Sequence, residues 1–291
     1  MTSLPLPSPP PRNIADAPAT VRDLVSDAQE RGLTPVTERL VRDWTEEGLL
    51  AAPDLQKKTR HGSEQALYPP SQRRLFLYLL WARTFYPHGP HYVRSVLIRA
   101  LITGWLNDNS LGPIPVGQAR RALRTWARAG RTMPAVRARK SAKDFVCRLA
   151  HSSAPAGQRR YAEAVLSTFM QTGRWDWKAL QSALEPIYTP WADAASGRRM
   201  EQELGTSRSQ PSLDVVIAHL RESVRVESLL RTESVSLDVL KEAQAVYWSH
   251  YGPANIRRIL ALPISWPPAE HDLGNQAIAR FVMCVAEILK D

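Results

Sequence analysis

The chain has 291 residues, 44% of them apolar, and carries 38 Lys and Arg against 28 Asp and Glu for a formal charge of +10. That is a globular composition, long enough for one large or two ordinary domains. The longest apolar runs, "LFLYLLWA" and "VRSVLIRALITGWL", are too short or too broken by arginine to cross a bilayer, so no membrane partner is expected.

In chain order, residues 1–18, "MTSLPLPSPPPRNIADAP", lack a basic start followed by an apolar run and are expected as a proline-rich, disordered tail rather than a secretory leader. "TVRDLVSDAQERG" (20–32) places Val21, Leu24, Val25 and Ala28 on one face and stops at Gly32, as a short amphipathic helix does. "TPVTERLVRDWTEEGLL" predicts a second helix with Thr34 as N-cap candidate, Pro35 in the first turn and Gly48 in a left-handed terminal conformation. "AAPDLQKKTRHGSEQALYPP" (51–70) has no helical period and predicts a two-stranded hairpin with a basic tip. "SQRRLFLYLLWARTFY", capped by Ser71, and "HYVRSVLIRALITGWLND" are two further helices.

Beyond Gly112, "IPVGQARRALRTWARAG", "PAVRARKSAKDFVCRLAH", "AGQRRYAEAVLSTFMQTG" and "WDWKALQSALEPIY" predict four helices separated by Gly or Pro. The polar stretch 189–211 reads as a linker. After it, "SLDVVIAHLRESVRVESLL", "SLDVLKEAQAVYWSHYG", "PANIRRILAL" and "NQAIARFVMCVAEILKD" are again helical. No strand is expected after residue 70. The predicted architecture is mainly all-α: a winged helix-turn-helix over 19–86 with a small β-hairpin wing, then a large helical body. That body divides into a basic helical domain (87–188), the linker and a C-terminal helical region (212–291).

The charge is unevenly spread. Residues 91–150 hold twelve Lys/Arg against two acids and account for the whole excess, whereas 201–291 hold nine against twelve. A basic middle of this kind suits a polyanion partner. Two helices followed by a basic hairpin are a known solution for duplex DNA, with the second helix in the major groove and the hairpin on the flanking backbone. Arg39 and Arg42, three apart, share a helix face and can meet phosphates or a guanine edge. Thr37 is short enough to bond a phosphate, and Trp44 packs in the core or leans on the sugar-phosphate backbone. Lys57, Lys58, Arg60 and His61 form the basic tip. Arg120, Arg121, Arg124, Arg128 and Arg131 lie in the acid-free block 119–140 and suggest an additional phosphate track, or else a solvated face paired with the acidic C-terminal third.

"LVRDWTEEGLL", the basic loop, "ALY" and "SQRRL" together resemble the MerR-type winged helix-turn-helix family over about residues 20–86. Val41 and Arg42 stand for the family's Leu-Arg, Asp43 and Trp44 for its two tyrosines, and Gly48-Leu49-Leu50 match directly. Tyr68 falls on the tyrosine that closes the wing. Asp43 places a charge where the family has a ring, and Ala66 replaces the usual wing arginine. The resemblance implies a sequence-specific binder of double-stranded DNA, most simply a transcriptional regulator acting as a homodimer in the cytoplasm at the nucleoid, with a small-molecule or protein effector. Thr37, Arg39, Arg42, Trp44, Lys57, Lys58, Arg60, His61 and Tyr68 are its expected DNA contacts.

Other readings stay open: a mobile-element or plasmid accessory protein that bends DNA, and a helical protein-interaction module with secondary DNA contact. For dimerisation, 212–230 is the nearest approach to a sustained heptad. Cys147 and Cys284 form no metal-site spacing and are expected as reduced, buried thiols. Trp175, Trp177, Trp191, Trp248 and Trp266 suit core packing or an aromatic effector pocket. His91 and Arg94, and the pair His271-Asp272, come with no nucleophile motif. No enzymatic activity, cofactor or metal is therefore expected.

Overall fold

A computed structural model describes residues 17–33, 35–57, 64–84, 90–107, 113–151, 153–188, 212–261 and 270–290. These are mostly helical, with eleven helices and one two-stranded sheet among the described residues. Expectations for the tail and for the linker 189–211 lie outside the described residues, apart from Ala17 and Pro18.

The first elements are α1 (Val21–Glu30), α2 (Glu38–Glu46), β1 (Asp54–Lys57), β2 (Glu64–Leu67) and α3 (Pro70–Thr84). Thr20 starts α1 with a reciprocal cap: its hydroxyl accepts from Asp23 N at 3.2 Å, and the Asp23 carboxylate accepts from Thr20 N at 2.8 Å. Those bonds hold the Asp23 carboxyl below its ordinary range. The strands pair antiparallel, with Asp54 opposite Leu67 and Lys57 opposite Glu64. Ser71 does not cap α3. Pro70 opens the helix and Gln72 N and Arg73 N bond Pro69 O, because proline's fixed φ suits a first helical position that needs no N–H.

Next come α4 (Pro90–Asn107), α5 (Val116–Gly130), α6 (Ala135–Leu149), α7 (Ala156–Thr172) and α8 (Trp177–Leu184). The last three are α9 (Leu213–Arg231), α10 (Leu237–Ala261) and α11 (Glu270–Ile288). The sequence suggested a break at Gly252-Pro253. Instead α10 runs through both, since one proline removes a single ladder bond from an otherwise continuous helix. Among the described residues past residue 70 there is a single antiparallel bridge, Ala150 to Tyr188, and no further strand.

Two compact units form, one from 1–126 with 235–278 and one from 127–234 with 279–291. The segments 87–188 and 212–291 of the sequence reading each contribute to both units. In the first unit Leu24, Val41, Trp44, Leu75, Phe76, Leu101, Ile102 and Tyr247 are buried, and Gln244 Nε2 donates to Trp105 O at 2.6 Å to tie α10 to α4.

In the second unit α7 packs on α6 and on α8, which packs on α9. The small residues Ala138 and Ala142 let α6 bury its inner face with Val146 and Leu149. Trp175 stacks on Trp177 at 5.1 Å against this core and Arg221 lies over Trp177, so both rings are used in packing. Trp248 is half-buried, and Trp191 and Trp266 lie outside the described residues. Burial lifts the Glu227 carboxyl to about 7, opposed by Arg231. A folded value above the ordinary 4.5 favours the fold fully at low pH, an advantage lost as pH rises toward 7.

α7 ends at Gly173, whose φ is +66°, and a Cβ there would lie 2.7 Å from Arg131 O. Gly173→Ala is expected to lower unfolding stability by about 2 kcal/mol or more, combining left-handed strain with a backbone clash. Gly157→Ala, in the first turn of α7 with nothing within 4 Å, should be neutral or stabilise by up to about 1 kcal/mol. Urea titration of both variants checks the contrast.

Candidate nucleic-acid interface

α2 starts three residues later than expected. Thr37, extended at φ −130°, is the N-cap and its hydroxyl accepts from Leu40 N at 3.3 Å, whereas Thr34 lies outside the described residues. Val36 is buried just before the cap and Glu38 sits in the first turn, where the helix dipole favours a carboxylate. Thr37 itself is exposed.

Val41 and Trp44, three apart, form the inner face of α2. Trp44 is 4% exposed and meets Phe76 edge-on at 5.5 Å. Its expected place among the DNA contacts is therefore corrected: an indole that fills the junction of α2 and α3 offers nothing to a backbone outside. Tyr68 is corrected likewise. It is buried, its backbone pairs with Ala19, and its hydroxyl meets Thr45 Oγ1 at 2.8 Å. Thr45 already donates to Val41 O, so Tyr68 is the donor.

Arg39 and Arg42 occupy the outer face, with side chains 89% and 65% exposed. Arg42 Nη2 meets Glu38 Oε2 at 2.9 Å, and Arg39 Nε lies 3.8 Å from Asp43 Oδ2. Glu38 also receives Arg22 from α1, at 3.4 Å. The sequence reading did not single out Arg22. Its only signal is its position off the buried face of Leu24 and Ala28. Exposed pairs of this kind contribute at most about 1 kcal/mol, so the guanidiniums can exchange a carboxylate for another acceptor at little cost. Lys57 is described only in its backbone, and Lys58, Arg60 and His61 lie outside the described residues.

Two internal ties fix the elements around α2, the first joining α1 to α3 and the second holding the segment that leaves α2. Asp27 on α1 receives Nε and Nη2 of Arg73 on α3, the second at 2.8 Å, while Arg31 donates to Asp27 O at 2.8 Å. The carboxylate raises the already high Arg73 value further. Two fully buried glutamines, Gln72 on α3 and Gln118 on α5, clasp the exit of α2. Gln118 Nε2 donates to Leu49 O at 2.8 Å, Ala51 N donates to Gln72 Oε1 at 2.8 Å, and Gln72 Nε2 donates to Gln118 Oε1 at 3.1 Å. Gly48, at φ +76°, turns the chain into this clasp, with Leu49 N and Leu50 N both bonding Trp44 O.

The five arginines of the expected additional track are not gathered on one open face. Arg120 and Arg124 are half-buried and engaged with neighbours, and Arg121 lies over Gly48 with Nε 3.2 Å from where a Cβ would stand. Arg128 and Arg131 are exposed, in the second unit. The apolar residues Val216, Ile217, Val226 and Leu230 of α9, the helix considered for dimerisation, are buried within the chain. Cys284 is buried, and burial with nearby Glu287 pushes its thiol up to about 11. Cys147, expected to be buried, is instead exposed because it lies opposite Val146 and Leu149 on α6.

Among the described residues no group of His, Cys, Asp and Glu is placed to hold a metal, and no helix is long and apolar enough to cross a membrane. Comparison with known protein families, curated proteins and solved structures finds no match for the chain.

The glutamine clasp has a measurable consequence. Gln118→Leu leaves Leu49 O and Gln72 Nε2 buried without their partner, at an expected cost of about 1–3 kcal/mol. Gln72→Leu should cost a similar amount, and the double variant clearly less than the sum, because the two share bonds. Chemical denaturation of the three variants measures that coupling.

Proposed function

We propose that the chain is a sequence-specific duplex-DNA-binding protein whose first unit carries a winged helix-turn-helix of the MerR type, most simply a transcriptional regulator. The observation that carries this reading is the outer face of α2. Arg39 and Arg42 project side by side from a short helix anchored by Trp44 on its inner side and followed by an antiparallel hairpin. A fixed guanidinium on a rigid helix can distinguish one base edge from another.

The acids support a reading head more than a general polyanion surface. Residues 38–47 hold four carboxylates, Glu38, Asp43, Glu46 and Glu47, against the two arginines. Such a helix gains little from phosphates alone. Its pairs with Glu38 and Asp43 orient the guanidiniums, and a carboxylate can itself accept from a cytosine amino group. Thr37, exposed at the helix start, is placed to bond a phosphate. A reading head this small favours two copies on half-sites a helical turn apart.

A genome-wide footprint identifies bound sites on which this is tested. Arg42→Ala should weaken binding to a footprinted site by roughly 10- to 100-fold, the size of a lost base contact, while binding to unrelated duplex changes little. Equal loss on both duplexes, or none, contradicts the reading. Footprints confined to attachment or origin sites, with strong bending, would favour an architectural role.

A further inference from the structure

We propose that the second unit carries its own duplex-DNA surface, a phosphate-contacting face formed by the outer side of α6 and the turn that precedes it. It adds to the α2 reading and takes from it only the choice of duplex DNA as partner.

Residues 128–143 contain six cations, Arg128, Arg131, Arg137, Arg139, Lys140 and Lys143, and no acid. All six are exposed. Among the described residues none of them is in an ion pair, which sets them apart from Arg39, Arg42, Arg73, Arg225 and Lys241, each matched to a carboxylate on its own or a neighbouring helix. Like charges held this close repel one another in the free protein. A partner bearing evenly spaced negative charge removes that repulsion and releases its own counterions.

Position on the helix gives the face its direction. Ala138, Ala142, Val146 and Leu149 point inward, so Arg137, Lys140 and Lys143 fall on the outer flanks with Cys147 one turn beyond Lys143. Arg139, also exposed, stands at the edge of the inner stripe. At 1.5 Å per residue the fifteen residues of α6 extend roughly 22 Å, enough to follow several successive phosphates. An acidic membrane surface fits less well. A helix that lies on lipid presents an apolar face to it, whereas the apolar face of α6 is used against the protein and Val136, 82% exposed, is the one large hydrophobe at its outer end. Cations that meet only phosphates carry no base information, so this face, with Asp144 as the one acid on α6, positions DNA rather than reads it.

Cys147 supplies a reporter on this face, with buried Cys284 protected from alkylation in the folded chain. The experiment uses the full chain, a fluorescent duplex of arbitrary sequence, and maleimide labelling of Cys147. Saturating duplex is expected to slow Cys147 labelling at least about fivefold. Replacing Arg139, Lys140 and Lys143 by glutamine, with unfolding stability checked, is expected to reduce affinity at least tenfold and to lower the slope of log K against log salt by about 2 to 3. Duplex binding with unchanged Cys147 labelling, or with the triple variant's slope unaltered, overturns the proposal and leaves the α2 reading standing. Protection of Cys147 together with indifference to Arg42→Ala on footprinted sites sinks the α2 reading and leaves this one. Protection by phosphatidylserine vesicles but not by duplex also overturns it, in favour of a membrane surface.

Discussion

A pair of buried amides controls what the first unit can present. Gln72 and Gln118 are far apart in sequence, yet each takes one backbone group from the segment that leaves α2 and they complete their valences on one another. Buried polar groups hold a structure to one arrangement because every alternative leaves a donor or acceptor unpaired. With Leu49 O and Ala51 N fixed, Gly48 must turn in the left-handed sense, Trp44 is drawn against Phe76, and the outer face of α2 has a single orientation. The Asp27–Arg73 pair does the same for α1 against α3. The exposed arginines depend on these ties for their direction without contributing to them.

Charge is organised differently in the two units. On α2 every outward cation has a carboxylate within reach on its own helix, so the net field is small and geometry dominates. Around α6 the six cations of residues 128–143 stand with Asp144 as the helix's one acid, so the field stays strongly positive and geometry matters less. Specific recognition asks for the first arrangement and sequence-independent attachment for the second. A single chain can hold both, and the net charge of +10 summarises neither.

Much of the fold was legible in the sequence, for reasons that can be named. The helices announce themselves by apolar spacing and by Gly or Pro between them, the stop at Gly48 by Gly-Leu-Leu, and the hairpin by its missing helical period. Local capping was less legible. Thr34 and Thr37 both precede the helix with side chains able to cap it, and the choice fell to burial of Val36, a tertiary effect. Trp44 and Tyr68 were ambiguous because an aromatic can serve a core or a surface equally well. Their neighbours Phe76, Thr45 and Ala19 decide the matter only once folded. The glutamine pair left no trace in any local pattern. Cysteine's general preference for burial points the wrong way for Cys147, because its place on α6, three residues beyond Asp144 and four beyond Lys143, is on the outer side.

The claim that matters most is that α2 reads sequence, and selection from a randomised duplex pool tests it most directly. The intact chain, taken through several rounds at moderate salt beside an Arg39→Ala, Arg42→Ala variant, is expected to enrich a defined motif. The variant should recover DNA whose composition at those positions has relaxed toward random. If the intact chain enriches no motif, or the variant enriches the same one as sharply, α2 is not the reading element.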